Sequence, residues 1–357
     1  MRYQDIKTTS KVGREFQHLE DLVFINGSRG AQFAIGVLEN LAIDTSNVMV
    51  KWDGIPTIYW GRNMLGEFVL VNKNAWGKKE CTSPAMLESF ILGTGCNESW
   101  RADFAQGLTA IWDILKDETP ADFRGYMFGD LLFSPSIPVS KTNEAVEFTP
   151  NKVTYRINSS SVLGRKVAEA KVGIAAHSLY TSFGDAHGSP VTEQIESKNL
   201  IVFAQTRSSG KVVLEHNQLS TLKETLAENT VIIDTFLKPF YGLSDMSKII
   251  YTYVNQMSKA DRLGEIKESF FDWLAVSKVS TPKQARIVEL SNNNPRSLDV
   301  ILGMVTEIMS IKNSIIMQLD QTTINISAYT LNEAGGEGYI MLDEKVKLVP
   351  RHRWKPH

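Results

Sequence analysis

Cysteine is nearly missing. Only Cys81 and Cys96 occur in 357 residues, without metal-ligand spacing and far below the density of a disulfide scaffold. That excludes a disulfide-stapled secreted domain and points to a reducing, intracellular setting. Long apolar runs are lacking too: no uninterrupted stretch reaches membrane-spanning length, and the polar residues 1–14 hold no apolar signal core. Neither a membrane partner nor a secretory signal is expected. An excess of one charge is also absent. A net charge of −2 argues against a generally basic nucleic-acid coat and leaves room only for a local basic groove. No internal repeat or low-complexity tract is present. What remains is a globular composition, 43% hydrophobic and 22% charged, with length for one large domain or two ordinary ones. The basic stretch RHRWKPH at 351–357 reads first as a frayed tail and second as an anion contact.

The stretch around which the chain is organised is VMVKWDGIPT, residues 48–57. One apolar run climbs to Lys51, Asp53-Gly54 turns the chain, and a second run from Thr57 leaves it. The pattern predicts two strands around a tight turn with a lysine at the junction. A lysine between buried strands loses hydration, which favours its neutral, nucleophilic form.

Taken in order, residues 16–25 precede a Gly-Ser-Arg-Gly turn, and 31–41 then show helical periodicity, an entry helix expected to pack against the following sheet. Residues 68–72 form a further strand, and 84–92 and 100–115 form helices. GYMFGDLLFSP at 125–135 is an apolar strand broken by Gly129-Asp130. A glycine there predicts close backbone approach, and Asp130 is costly unless it faces a ligand or partner. Residues 152–158 and 171–180 are strands around a helix at 163–170, and 199–205 with 211–215 suggest a hairpin. From 218 to 322 nearly everything is helical. The last helix shows an apolar face of Leu298, Ile301, Val305, Ile308, Ile315 and Leu319. Strand signals return at 323–330, 338–341 and 345–349.

Four motifs now fall in order: K-W-D-G at Lys51, the apolar strand with Gly129-Asp130, Glu337-Gly338-Tyr339-Ile340, and Lys345-Val346-Lys347. Together they resemble the covalent nucleotidyltransferases, the superfamily of polynucleotide ligases and mRNA capping enzymes. The resemblance implies an α+β fold of ATP-grasp-like antiparallel sheets with flanking helices. The catalytic domain would comprise 1–217 and 323–357, interrupted by an all-helical insertion at 218–322 with its own small core. Residues 348–357 leave no room for the C-terminal OB domain of DNA ligases and capping enzymes.

It also implies roles. Lys51 would attack the α-phosphate of ATP, with GTP as the other candidate, to give a lysyl–nucleotide. Asp53, Gly54, Arg62, Lys73, Asp130, Tyr155 and Glu337 would bind the nucleotide, with Asp130 and Glu337 holding Mg²⁺ or Mn²⁺ or ribose hydroxyls. Lys345 and Lys347, alternating on a strand and so pointing the same way, would neutralise phosphate charge. Two departures stand out. Pro56 occupies a position where ligases usually carry arginine, with Arg62 as the substitute, and His177 stands where an acidic residue is common. Tyr155 is either the ring that stacks on the base or a core residue, and His177 is either a hydrogen-bonded core histidine or a catalytic one. The acceptor would be a nucleic-acid end, RNA ahead of DNA, because RNA ligases more often work without an OB domain. Over its length the chain also resembles uncharacterised proteins of tailed phages, which implies an infected bacterial cytoplasm. The alternative to an enzyme is a ligase-fold binding protein that has lost turnover and acts in phage assembly or host interaction, meeting a protein partner through its helices.

Overall fold

The computed structural model describes residues 16–351 except 94–99, 192–194, 205–209, 238–242, 323–325, 331–332, 335, 337 and 342. Strand β1 (Gln17–His18) leads through a 3₁₀ turn at Leu19–Asp21 into α1 (Leu22–Ile43), then β2 (Val48–Val50), β3 (Thr57–Arg62) and β4 (Phe68–Asn72). Helices α2 (Pro84–Gly93), α3 (Trp100–Thr109) and α4 (Trp112–Glu118) follow. Next come β5 (Gly125–Phe133), β6 (Ser140–Lys141), β7 (Ala145–Phe148), β8 (Val153–Asn158), α5 (Val162–Glu169) and β9 (Val172–Tyr180). Short strands β10 (Ser189–Pro190) and β11 (Ile195–Glu196) precede β12 (Leu200–Phe203). Helices α6 (His216–Leu237), α7 (Met246–Lys259), α8 (Phe270–Val276), α9 (Thr281–Asn293) and α10 (Ser297–Thr322) then lead to β13 (Ile326–Thr330), β14 (Glu333–Ala334), β15 (Tyr339–Met341) and β16 (Val346–Leu348). The chain is α+β and divides into two units.

The first unit, Val50–Arg207 with Thr323–Glu337, is the β-rich one. Its larger sheet runs β11-β12-β9-β5-β3-β4 with β10 beside β9, and its smaller sheet runs β14-β13-β8-β7-β6. The pleat sorts side chains into two cores. On β9, Val172, Ile174 and Ala176 join Leu87, Leu108, Trp112 and Leu115 of α2–α4, while Ala175 between them joins the other core. That second core combines Trp52, Leu132, Phe133 and Phe203 with Phe148, Tyr155 and Ile157 of the smaller sheet and Val167 of α5.

The second unit takes the segments up to Met49, Ser208–Thr322 and from Gly338 onward. Its sheet runs β1-β16-β15-β2, and α1 packs against α6 and α10. Helix α1 runs through the expected Gly-Ser-Arg-Gly turn with a kink at Gly27. Asp234 of α6 caps the restarted helix, accepting from the Ser28 N–H and hydroxyl at 2.8 Å each. Beneath lies a buried ion network. The Lys312 ammonium reaches both Glu20 oxygens and the Val349 carbonyl at 2.8 Å, and Arg351 reaches Glu20 at 2.7 Å, Asn255 at 2.8 Å and also Asp21. Burial pushes the Glu20 carboxyl up, but Lys312 and Arg351 outweigh it and hold it at about 2. Asp21 is raised to about 6 by burial and by Glu20, against the pull of Arg351. Helix α10 has the length and mean hydropathy of a membrane span over Ser297–Gln321, yet Ile301, Val305, Ile308, Ile315 and Leu319 are buried and it carries Lys312 into the network.

Several expectations are corrected here. Residues 218–322 are not a self-contained insertion: α6 and α10 need α1, and Lys312 needs Glu20 near the other end of the chain. The two strands around K-W-D-G do not pair with each other, because β2 is an edge of one unit's sheet and β3 lies inside the other's. The 199–215 hairpin does not form: β12 lies parallel to β9, and residues 211–215 are not strand. Arg351 is no tail residue; it is buried.

Candidate functional site

The site is built on the β-rich unit, where the chain enters at K-W-D-G. Trp52 is buried with its ring 4.8 Å from Tyr155 and 5.0 Å from Phe203. The Asp53 N–H donates to the Tyr155 hydroxyl at 2.6 Å, and its carboxylate accepts from the Asn151 amide at 2.9 Å. Gly54 lies so close to β5 that a Cβ would stand 2.5 Å from the Leu131 carbonyl and 3.0 Å from the Asp130 Cβ, so no other residue fits. Leu131 in turn donates its N–H to the Pro56 carbonyl at 3.0 Å. An indole, a carboxylate and a glycine thus pin the segment at three points, and half-buried Lys51 projects from its start.

Asp130 is the second anchor. Cross-strand register sets Thr57 opposite Asp130, and the Thr57 hydroxyl donates to Oδ1 at 2.7 Å. The other oxygen, Oδ2, lies 3.0 Å from His177 Nε2. Burial raises the Asp53 carboxyl above the usual range; Lys51 pulls it down, Asp130 adds to the rise, and Lys152 also pulls it down. Lys51, Asp53, Asp130 and Lys152 therefore share one electrostatic neighbourhood. Along the same face of β3 and β5, Tyr59 stands opposite Phe128, with rings 4.5 Å apart, and Trp76 stacks on Tyr59 at 3.9 Å. A polar line of Thr57, Asp130 and His177 thus borders an aromatic wall whose outer rings, Phe128 and Trp76, are only partly buried.

A family model matches the chain over residues 14–355, that of a family of unknown function, DUF6267. The chain belongs to that family. Neither a curated protein nor a solved structure matches it.

The structure of this DUF6267 chain brings Lys51, Asp53, Gly54 and Asp130 together. Lys73, exposed, follows directly on Asn72, which pairs with Ile58, so it emerges at the Thr57 end of the sheet. Arg62 does not join them. It sits at the opposite end of β3, about 17 Å along the strand from Thr57, and its guanidinium donates to the carbonyls of Pro120, Gly66, Lys116 and Thr119, closing the end of α4. Tyr155 is core, 1% exposed between Trp52 and Phe148, so its ring offers no face to a base. Gly129 does mark a close approach, but of the neighbouring strand: a Cβ would meet the Ala175 carbonyl at 2.4 Å. His177 is hydrogen-bonded as expected yet 34% exposed, so it is no core residue.

Lys345 and Lys347 belong to the other unit. Lys345 is an exposed turn residue with φ of 51°, so the strand alternation that would align it with Lys347 fails. Lys347 is on β16, and its charge draws on buried Asp21. Glu337 lies outside the described residues. Thr57, Asn151, Lys152 and Phe128 escaped sequence reasoning; only Thr57, two residues before Tyr59 on a strand, carried a signal that register knowledge would have exposed.

Among the described residues no three His, Cys, Asp or Glu side chains gather as a metal-ligating set. The donor set nonetheless suits a magnesium ion that arrives with a triphosphate, since such ions use one or two carboxylates and take other ligands from phosphate and water. Asp130 keeps a second lone pair on each oxygen for that purpose.

Proposed function

We propose that this DUF6267 chain is a nucleotidyltransferase that forms a lysyl–nucleotide at Lys51. The Lys51 amine, having shed a proton, would bond to the α-phosphorus of ATP as the bond to the bridging oxygen breaks and pyrophosphate leaves. The supporting observation is the three-point clamp on K-W-D-G, which seats Gly54 against Asp130 and leaves the Lys51 charge acting on the Asp53 carboxylate. A nucleophile held to one geometry gains in rate because its orientation is settled before reaction. Asp130 would face the divalent ion or the ribose, and Lys73 and Lys152 the phosphates. Transfer onward to an RNA or DNA end follows from the motif resemblance.

A binding protein without turnover is the second reading. The engagement of Arg62 with α4 favours it, because no described arginine then substitutes at the Pro56 position. Incubating the full chain with α-labelled ATP or GTP and Mg²⁺ or Mn²⁺, followed by denaturing electrophoresis, separates the two. Transfer gives an acid-labile, alkali-stable label that Lys51→Ala and Lys51→Arg lack, the latter because a guanidinium stays protonated. No label with either nucleotide would remove the enzymatic reading.

A further inference from the structure

We infer that His177 is a positioning residue which, with Thr57, fixes the Asp130 carboxylate to receive a nucleotide-bound divalent cation. The inference rests on the nucleotidyl-transfer reading for the nucleotide and on the geometry of β5 and β9 for the rest.

The two strands do not run in simple register beside Asp130. Phe128 pairs with Ser178 and Gly129 with Ala176, so His177 is an extra residue on β9. Three positions on, Leu131 pairs with Ile174 and Phe133 with Gly173, which makes Leu132 an extra residue on β5. Two irregularities on opposite strands thus enclose the short segment that carries Asp130. An extra residue interrupts the ladder and re-aims its side chain. At the first of them the His177 carbonyl accepts from the Val191 N–H at 3.3 Å, and its ring swings to the Asp130 carboxylate. The tight passage at Gly129 brings β5 against β9 at the same point.

The consequence is a carboxylate with one donor on each oxygen, from two different strands. Its plane is set, and the remaining lone pairs point where the donors do not. A bulge and an obligatory glycine weaken a sheet. A hydrogen bond whose histidine side is one-third exposed does little to offset that loss, so a stability role is a poor account of the arrangement. Partners that orient a ligating carboxylate are the kind of group whose loss lowers metal affinity about 10- to 100-fold.

The test uses the full chain carrying Lys51→Ala, to prevent turnover, and reads protein-dependent Mn²⁺–ATP binding from the rise in water-proton relaxation above that of Mn²⁺–ATP without protein. His177→Phe keeps ring volume beside Phe128 but removes the donor, and should weaken Mn²⁺ binding about 10- to 100-fold. His177→Gln, whose amide nitrogen reaches as far as Nε2, should restore most of it. Thr57→Val should weaken binding in the same direction. On the otherwise wild-type chain the label rate should follow the same order. Equal Mn²⁺ binding by wild type and His177→Phe, or failure of His177→Gln to recover where melting temperatures agree, overturns the inference. Mn²⁺ binding that falls in His177→Phe while even wild type forms no label keeps the inference and removes the transfer reading.

Discussion

The backbone N–H of Asp53 and the phenol oxygen of Tyr155 are 2.6 Å apart, joining residues 102 positions apart in the chain. That bond ties the segment following Lys51 to a ring packed at 4.8 Å on Trp52 and 5.5 Å on Phe148. It gives a fully buried tyrosine a structural reason for its hydroxyl.

Tyr155→Phe should therefore keep the stacking and lose the acceptor. Leaving the Asp53 N–H unpaired costs about 1–3 kcal/mol, measurable by urea denaturation. Lys51 labelling should slow with it. If the ring instead stacked on a base, phenylalanine would leave both stability and nucleotide affinity as they were.

Lys312→Ala should destabilise the helical unit by about 3–5 kcal/mol, because Glu20 would stay buried with one of its two cations gone. Pairing it with Glu20→Gln should cost less than the sum of the single changes. Additive losses in the double-mutant cycle would show that the two groups do not interact.

Asp21 and Glu20 should leave separate marks on stability against pH. The folded value of Asp21, about 6, lies above its ordinary 3.8, so its contribution is full below 3.8 and is lost as pH rises through 6. Glu20, at about 2 against 4.5, contributes above 4.5 and loses that contribution as pH falls toward 2. Asp21→Asn should flatten the stability curve between about pH 4 and pH 6 and leave the acid limb in place. Urea midpoints across that range decide it, and an unchanged slope would rule Asp21 out.

Replacing residues 218–322 by a short Gly/Ser linker should give a chain that fails to fold cooperatively in its remaining part of that unit. Helix α1 would lose α6 and α10, Ser28 would lose its Asp234 cap, and Glu20 its lysine. A soluble shortened chain in which the α1 amides keep their protection from hydrogen exchange would contradict this.

Much of this was legible because it is local. Strands at 68–72, 125–133 and 172–180 announce themselves by apolar, β-branched and aromatic runs, and α2, α9 and α10 by their spacing. Pairing is not local: nothing within residues 48–50 says that β2 belongs beside β15 rather than β3. Lys51, Asp53, Gly54 and Asp130 stood out through motif order. His177 could not be resolved, since a bulge is a mismatch between two strands and neither sequence alone contains it. Arg62 misled for a similar reason, its partners being carbonyls at a helix end. Lys312 was visible in principle: on α10 the apolar stripe runs 301, 305, 308, then 315 and 319, and position 312 is the gap. A lysine in such a gap either breaks the helix face or meets a buried anion, and the anion here is Glu20.

That network also sets a timetable for synthesis. Glu20 and Arg351 are 331 residues apart in sequence. At ordinary translation speeds the wait between them is roughly 15–65 s. Throughout that interval Glu20 and Asp21 have no Arg351, and for most of it no Lys312, so the first helix emerges with two carboxylates it cannot yet bury. A chain released before Arg351 therefore lacks one of the two cations that pair with Glu20 and Asp21 in the cluster. The ion cluster thus joins residues made early to residues made late, and it can close only after Arg351 has been synthesised.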